Sequence, residues 1–247
     1  MRQAGWPLAL STGLLAISNI GFVGAITHTK VANTLVILAT MPLFSAIFGW
    51  LLIGETVSRR TGTAIVAAIV GIVVIFSGSL GSGNWIGDAF AVGTAIAHSL
   101  NLVVLRKVAP RDMTPALFLS GFAAAAIVLP FAAPATVNAH DLGVIAILGF
   151  GIVPLALALY LSGTRYVSAA EVALLSLMEV MLGPIWVELF IGEAVDKYTL
   201  FGGPIVLAAV LAFSIIGVRD ARRRRSERRA AGLPAGRRAA LPEPPLP

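Results

Sequence analysis

Apolar residues fill this chain in blocks of membrane-crossing length, joined by short polar connections. About twenty apolar residues cross a bilayer, and that ruler predicts roughly eight spans, at 7–26, 31–53, 61–79, 86–105, 115–133, 142–162, 170–191 and 198–218. The expected fold is therefore an all-α membrane protein, a polytopic helical bundle. Two of the spans are near twins. Ala32 to Glu55 and Ala170 to Glu193 match without a gap at an offset of 138 residues, and seven of the fifteen positions from Ile47 to Thr61 are identical to their counterparts.

Charge sets the orientation. With Arg2 inside, the inside set holds Arg59, Arg60, Arg106, Lys107, Arg111, Arg165 and the whole C-terminal tail, whereas the outside connections keep only Lys30 and Lys197. Both termini are then cytoplasmic in a cell (inner) membrane, and the twin turns Gly54-Glu55 and Gly192-Glu193 lie on opposite sides. The repeat is inverted. Five spans separate equivalent points, and two five-span units make ten, so eight spans correspond to an incomplete first unit at 1–79 with three spans and a second at 80–218 with five. The two that are lacking would precede Met1, as with a start assigned too late. Residues 219–247 read as a basic, disordered cytoplasmic tail.

Composition adds limits. Apolar residues make up 57% of the chain and charged ones 12%, too little polar surface for a water-soluble core of this size. The net charge of +6 resides in the tail, with nine Arg against three acids, so nucleic acid is not an expected partner. There is no cysteine, hence no disulfide framework and no Cys-based metal site. The apolar run after Met-Arg-Gln continues past Ala16 without a small-residue cleavage site and reads as a first span.

Polar residues inside spans are the candidate chemistry. A carboxylate in hydrocarbon is costly and normally faces protein or a water-filled path. Glu179 sits near the middle of 170–191, with Ser176 and Gly183 on the same helical face and Trp186 one turn on. Glu171 reads as part of a capping box with Ser168, Glu188 as interfacial, and Asp88 as a carboxylate complementing a helix dipole. Thr94, His98 and Asn101 form a second stripe on 86–105, and Asn19, Thr12, Asn33 and Thr40 add polar positions. The substrate-path candidates are Glu179, Ser176, Asn101, His98, Thr94, Asn19 and Thr40. For the uncharged ones the plainer reading is interhelical hydrogen bonding, typically worth under about 2 kcal/mol. Glu55 and Glu193 are expected to satisfy amides of the following helix start. Gly54, Gly192, Gly71 and Gly202 are expected to allow close helix approach. The internal prolines Pro42, Pro130, Pro154, Pro184 and Pro204 read as packing kinks, or, at Pro42 and Pro184, as openings that free carbonyls near the midplane.

The paired helix ends Leu51-Leu52-Ile53-Gly54-Glu55 and Leu189-Phe190-Ile191-Gly192-Glu193, with Ile86-Gly87-Asp88 and Arg165-Tyr166-Val167-Ser168-Ala169-Ala170, resemble the EamA-type branch of the drug/metabolite transporter superfamily over nearly the whole chain. The family motif falls on Gly54, Glu55, Gly192 and Glu193. The resemblance implies a ten-helix inverted repeat, here short of two helices, with solute exchange or proton-coupled export through a central cavity and no ATPase module. Where the family often has proline directly after the acidic residue of the ninth span, Glu179 is followed by Val180 and the proline comes at Pro184.

The expected function is a secondary transporter that exports or exchanges small metabolites, such as amino acids or drug-like solutes, with coupling to protons through Glu179. It is not expected to be an enzyme or to use a cofactor or metal. Its partners are a small-molecule solute and the lipid bilayer, and a homodimer is compatible with the pattern. One alternative is a non-transporting fragment or partner subunit. Another is an intramembrane hydrolase using Ser120 and a histidine. That reading is weak, because Leu119-Ser120-Gly121 lacks a glycine two places before the serine and His140 falls in an outer loop. No P-loop, dinucleotide fingerprint or HExxH is present.

Overall fold

The computed structural model describes residues 5–80, 83–108, 113–132, 137–163, 182–183, 185–190, 192 and 195–230. They form helices α1 (Gly5–His28), α2 (Val31–Leu38), α3 (Met41–Ile53), α4 (Arg59–Leu80), α5 (Trp85–Val108), α6 (Thr114–Val128), α7 (Ala139–Ala146), α8 (Val153–Gly163) and α9 (Lys197–Ala230). Among the described residues seven helical stretches are long and apolar enough to cross a membrane, and they coincide with seven of the eight expected spans. The eighth, 170–191, lies largely outside the described residues. Large apolar side chains on the outer surface, such as Phe122, Phe131 and Phe150, are exposed. In a bilayer they face lipid, so no second layer is needed to cover them.

Small residues decide which helices meet. Gly21 of α1 lies against Thr94 of α5, and Gly24 lies against the Phe90 ring, which brings α1 and α5 side by side along their lengths. α4 and α9 cross where Gly71 and Gly202 face each other; a Cβ on Gly71 would stand 2.9 Å from the Gly202 carbonyl oxygen. This close approach is the role expected of that pair. Ala25, Val36, Ile37, Leu43, Ala68, Ile75, Ala91 and Val206 form the buried apolar centre between these elements.

The second span is broken. α2 ends at Leu38 and α3 begins at Met41. Pro42 has no amide hydrogen to offer the Leu38 carbonyl, and the chain compensates with a tighter turn in which the Thr40 amide reaches Ile37 O at 3.1 Å. The Thr40 hydroxyl donates to the same oxygen at 2.6 Å. Pro42 thus opens its span. Pro130 closes α6 in a 3-10 turn, Pro154 follows a π-helical stretch, Ile147–Ile152, and Pro204 is carried inside α9. Pro184 lies outside the described residues.

Three expectations change here. Gly54 and Gly192 do not mediate helix approach: a Cβ on either would meet nothing within 4 Å, and both have positive φ, 69° and 70°. They are left-handed helix ends, with the Glu55 amide reaching Gly49 O and the Gly192 amide reaching Glu188 O, each at 3.1 Å. The stretch from Arg219 to Ala230, expected to be disordered, continues α9; Ala and Arg are strong helix formers, and the preceding span removes the cost of nucleation. The third concerns Glu55.

Candidate solute path

A cleft of about 790 Å³ opens between α3, the α3–α4 connection, α5 and α9. Its walls are largely apolar, from Met41, Pro42, Ala46, Leu102, Leu105 and Phe213, and its polar groups are Ser45, Glu55, Thr56, Thr61, His98 and Arg106. α5 builds one side with His98, Leu102 and Arg106 at four-residue spacing, one above the other on a single helical face. α3 builds the facing side from just below the break.

An ion pair lines the cleft at the C-terminal end of α5. Arg106 Nη1 donates to Glu55 Oε2 at 2.9 Å and Oε1 at 3.2 Å, and Arg106 Nη2 donates to the Ser45 hydroxyl at 2.6 Å and its carbonyl at 3.0 Å. One guanidinium therefore ties the end of α5 both to Ser45 within α3 and to Glu55 just past the end of that helix. Gly49 makes room for this, since a Cβ there would collide with Glu55 Oε2. Glu55 does not serve the start of α4, as was expected of it. Ser58 does so instead, accepting the Thr61 amide at 3.1 Å. Glu55 is drawn off because a charged guanidinium is the stronger donor.

The polar stripe on α5 divides. Thr94 is buried against α1, donating to Phe90 O at 2.8 Å. Asn101 is buried too, and its Oδ1 accepts from Ser11 of α1 at 2.6 Å. Only His98 reaches the cleft. At about 100° per residue His98 stands roughly 60° from Asn101 around the helix, which is enough to leave the α1 contact. Thr40 is buried in the break, and Asn19 is exposed on α1, away from the cleft. Of the described candidates, then, His98 alone lines the cleft; Asn101 makes the interhelical bond of the plainer reading, whereas Thr40 and Thr94 bond back to their own segments, with Thr94 also 3.5 Å from Ser18 O of α1. Glu179, Ser176 and Glu193 lie outside the described residues.

The sequence reading missed Arg106 and Ser45 as lining groups. Arg106 carried only a topology signal, and its partner is 51 residues away. It also missed Asp88, which is fully buried rather than a simple dipole partner, and accepts from Thr29 Oγ1 at 2.7 Å. Ser120 is buried and donates to Leu117 O at 2.7 Å, a back-bond within its own helix rather than an approach to a histidine. Among the described residues no group of three His, Asp or Glu side chains could hold a metal.

Helices of membrane-crossing length around a mixed polar and apolar cleft define an all-α, multi-pass membrane protein. The model of the EamA-like transporter family matches residues 2–77 and 85–215, and the chain belongs to that family. It is similar to the pseudopaline exporter CntI of Pseudomonas aeruginosa, 25% identical over 229 residues that cover 87% of this chain and 79% of the exporter, with the same figures in two strains. An uncharacterized transporter of Clostridium kluyveri is 24% identical over 206 residues, covering 77% of this chain and 66% of that protein. No solved structure matches significantly. Family and relatives point to transport rather than to enzyme chemistry.

Proposed function

We propose that the protein is a secondary transporter that exports or exchanges small metabolites of amino-acid or drug-like type across the cytoplasmic membrane, with the cleft as part of the solute path. The observation that carries this is the cleft itself: polar groups within helices of membrane-crossing length, beside a helix broken at Pro42, with the Glu55–Arg106 pair lining one end. Broken helices beside a cavity are where transporters of inverted-repeat design bind solute. A solute with one carboxylate and an apolar body fits the lining, its carboxylate exchanging with Glu55 on Arg106 and its body against Met41, Leu102 and Phe213. The exporter named among the relatives supports the outward direction.

In this reading the two matched stretches are two inverted units, 1–79 and 80–218. The like-for-like left-handed turns at Gly54 and Gly192 support it, as does Gly183, whose missing side chain leaves room for Leu35 of α2. In this reading the cleft end carrying Arg106 faces the cytoplasm, as the basic residues at the start of α4 and the end of α5, Arg59, Arg60 and Lys107, favour. The test is uptake of labelled amino acids into inside-out vesicles with and without a pH gradient. Saturable uptake in vesicles holding the protein, lost in Arg106→Gln, is the expected result. Equal uptake in empty vesicles for every solute in a broad amino-acid and dipeptide panel would reject the proposal.

A further inference from the structure

The α5 wall of the cleft carries a polar, an apolar and a charged side chain in succession. His98, Leu102 and Arg106 follow one another at one-turn spacing on a single helical face, so the first and last are about 12 Å apart along the axis. α3 supplies a second measure. Ser99, next to His98, donates to Met41 O at 2.8 Å, whereas the Arg106 guanidinium donates to the Ser45 hydroxyl and carbonyl. Met41 and Ser45 are one turn of α3 apart, about 6 Å, so the guanidinium lies back toward His98 from its own Cα. The imidazole and the guanidinium are therefore separated by about 6–12 Å of cleft wall.

The two ends differ in what already holds them. Arg106 is engaged by Glu55 and Ser45. His98 is half-buried, and among the described residues no hydrogen bond reaches either of its ring nitrogens. Its polar neighbours on α5 are satisfied, Ser99 on Met41 O and Asn101 by Ser11. What enters the cleft is thus the partner left to His98, and a half-buried polar ring gains from taking one. An imidazole carrying one proton offers one donor and one acceptor, which suits an ammonium, an amide or a hydroxyl. Between the two ends Leu102, Met41 and Phe213 line the cleft with apolar side chains.

We propose that His98 is the second anchor of the solute site, hydrogen-bonding the polar far end of a solute whose carboxylate sits on Arg106, so that the cleft selects ω-amino carboxylates and short peptides over α-amino acids. The proposal rests on the cleft being the solute path of the reading above, and it adds a length to that reading. An extended chain advances at most about 3.6 Å per three bonds, so the span between the anchors corresponds to about five to ten bonds. An α-amino acid places its ammonium beside its carboxylate and cannot reach both. A dipeptide, a tripeptide or an ω-amino carboxylate can, with its middle against Leu102.

The test is isothermal titration calorimetry of the full chain in lipid nanodiscs with glycine, γ-aminobutyrate, ε-aminocaproate and ω-aminocaprylate. These share their two end groups and differ in the distance between them; the first two fall short of the anchors and the last two reach. Caproate, which lacks the far ammonium, is the fifth probe. ε-Aminocaproate is expected to bind about tenfold more tightly than either glycine or caproate, the worth of one hydrogen bond to a charged group. His98→Phe is expected to bring ε-aminocaproate down to the affinity of caproate, and His98→Gln, which restores a donor and an acceptor, to keep them apart. Arg106→Gln is expected to weaken every probe. The series on the unaltered chain carries the test should His98→Phe fail to fold. Equal affinities along the series, a length preference that survives in His98→Phe, or no binding of any probe would each overturn the proposal. Flux in proteoliposomes judges the transport reading separately: binding with the length preference but without flux keeps the anchor and removes transport, and flux indifferent to solute length and to His98 does the reverse.

Discussion

Glu55→Gln isolates the ion pair at the cleft mouth, because glutamine keeps the shape of the side chain and removes the charge that holds Arg106. Both partners are about two-fifths exposed, 42% and 43%, so solvent screens the pair and its worth is on the order of 0.2–1 kcal/mol. If the pair is intact only when the mouth is closed, its loss raises the open fraction by the matching Boltzmann factor, about 1.4-fold to 5-fold. The chain has no cysteine, so one introduced at Ala46, in the cleft wall, is a unique reporter. In an Ala46→Cys background, Glu55→Gln is expected to accelerate labelling by a membrane-impermeant maleimide about 1.4-fold to 5-fold, the range of that population shift. Labelling added from the cytoplasmic side should change and labelling from the other side should not. An unchanged or slower rate, with the fold intact, would refute the idea that this pair closes the cleft.

Gly71→Ala forces α4 and α9 apart, because its Cβ would stand 2.6 Å from Val206 Cγ2 and 2.9 Å from the Gly202 carbonyl; a loss of about 1–3 kcal/mol is expected in detergent unfolding. Gly62→Ala on the same helix, with nothing within 4 Å, is the control, and equal effects of the two would contradict the crossing. Glu179→Gln is expected to preserve insertion and abolish the pH-gradient-driven part of flux in proteoliposomes, and undiminished gradient-driven flux would end its coupling role. Deletion of residues beyond Arg222 should leave orientation unchanged, since Arg59, Arg60, Arg106 and Lys107 remain to fix it; a reporter fused at the new end and read on the wrong side would sink this.

The spans were legible because each depends on a run of apolar residues, a property of neighbours in sequence. Seven of them returned within a few residues of their expected ends. The site was less legible, because a cleft is made by distant pairs. His98 could be singled out as a polar residue in an apolar helix, and so could Thr94 and Asn101. Nothing in their spacing told which would meet α1 and which the cleft, because that depends on where the α1 contact ends. Arg106 looked like any basic residue at a helix end until Gly49 and Ser45 were seen to make its seat. Asp88 at a helix start has an ordinary local explanation, and only the approach of Thr29, Asn33 and α9 shows it buried. The tail beyond Val218 was misjudged in part because composition describes a free segment, whereas Arg219–Ala230 is templated by the span before it.

The break at Thr40 divides one span into two levers of unequal length, eight residues above and thirteen below, or about 12 Å and 20 Å. The short lever is anchored through Asn33 to Thr199. The long one is held at its start by Ser99, which donates to Met41 O at 2.8 Å, and lower down by Arg106 on Ser45. A bend of about 10° at the pivot would carry the lower end of the long lever by roughly 3.5 Å without disturbing the short one. If the cleft is the solute path proposed above, the two ends of this span can move at different times, so a passage beside it need never be open at both ends.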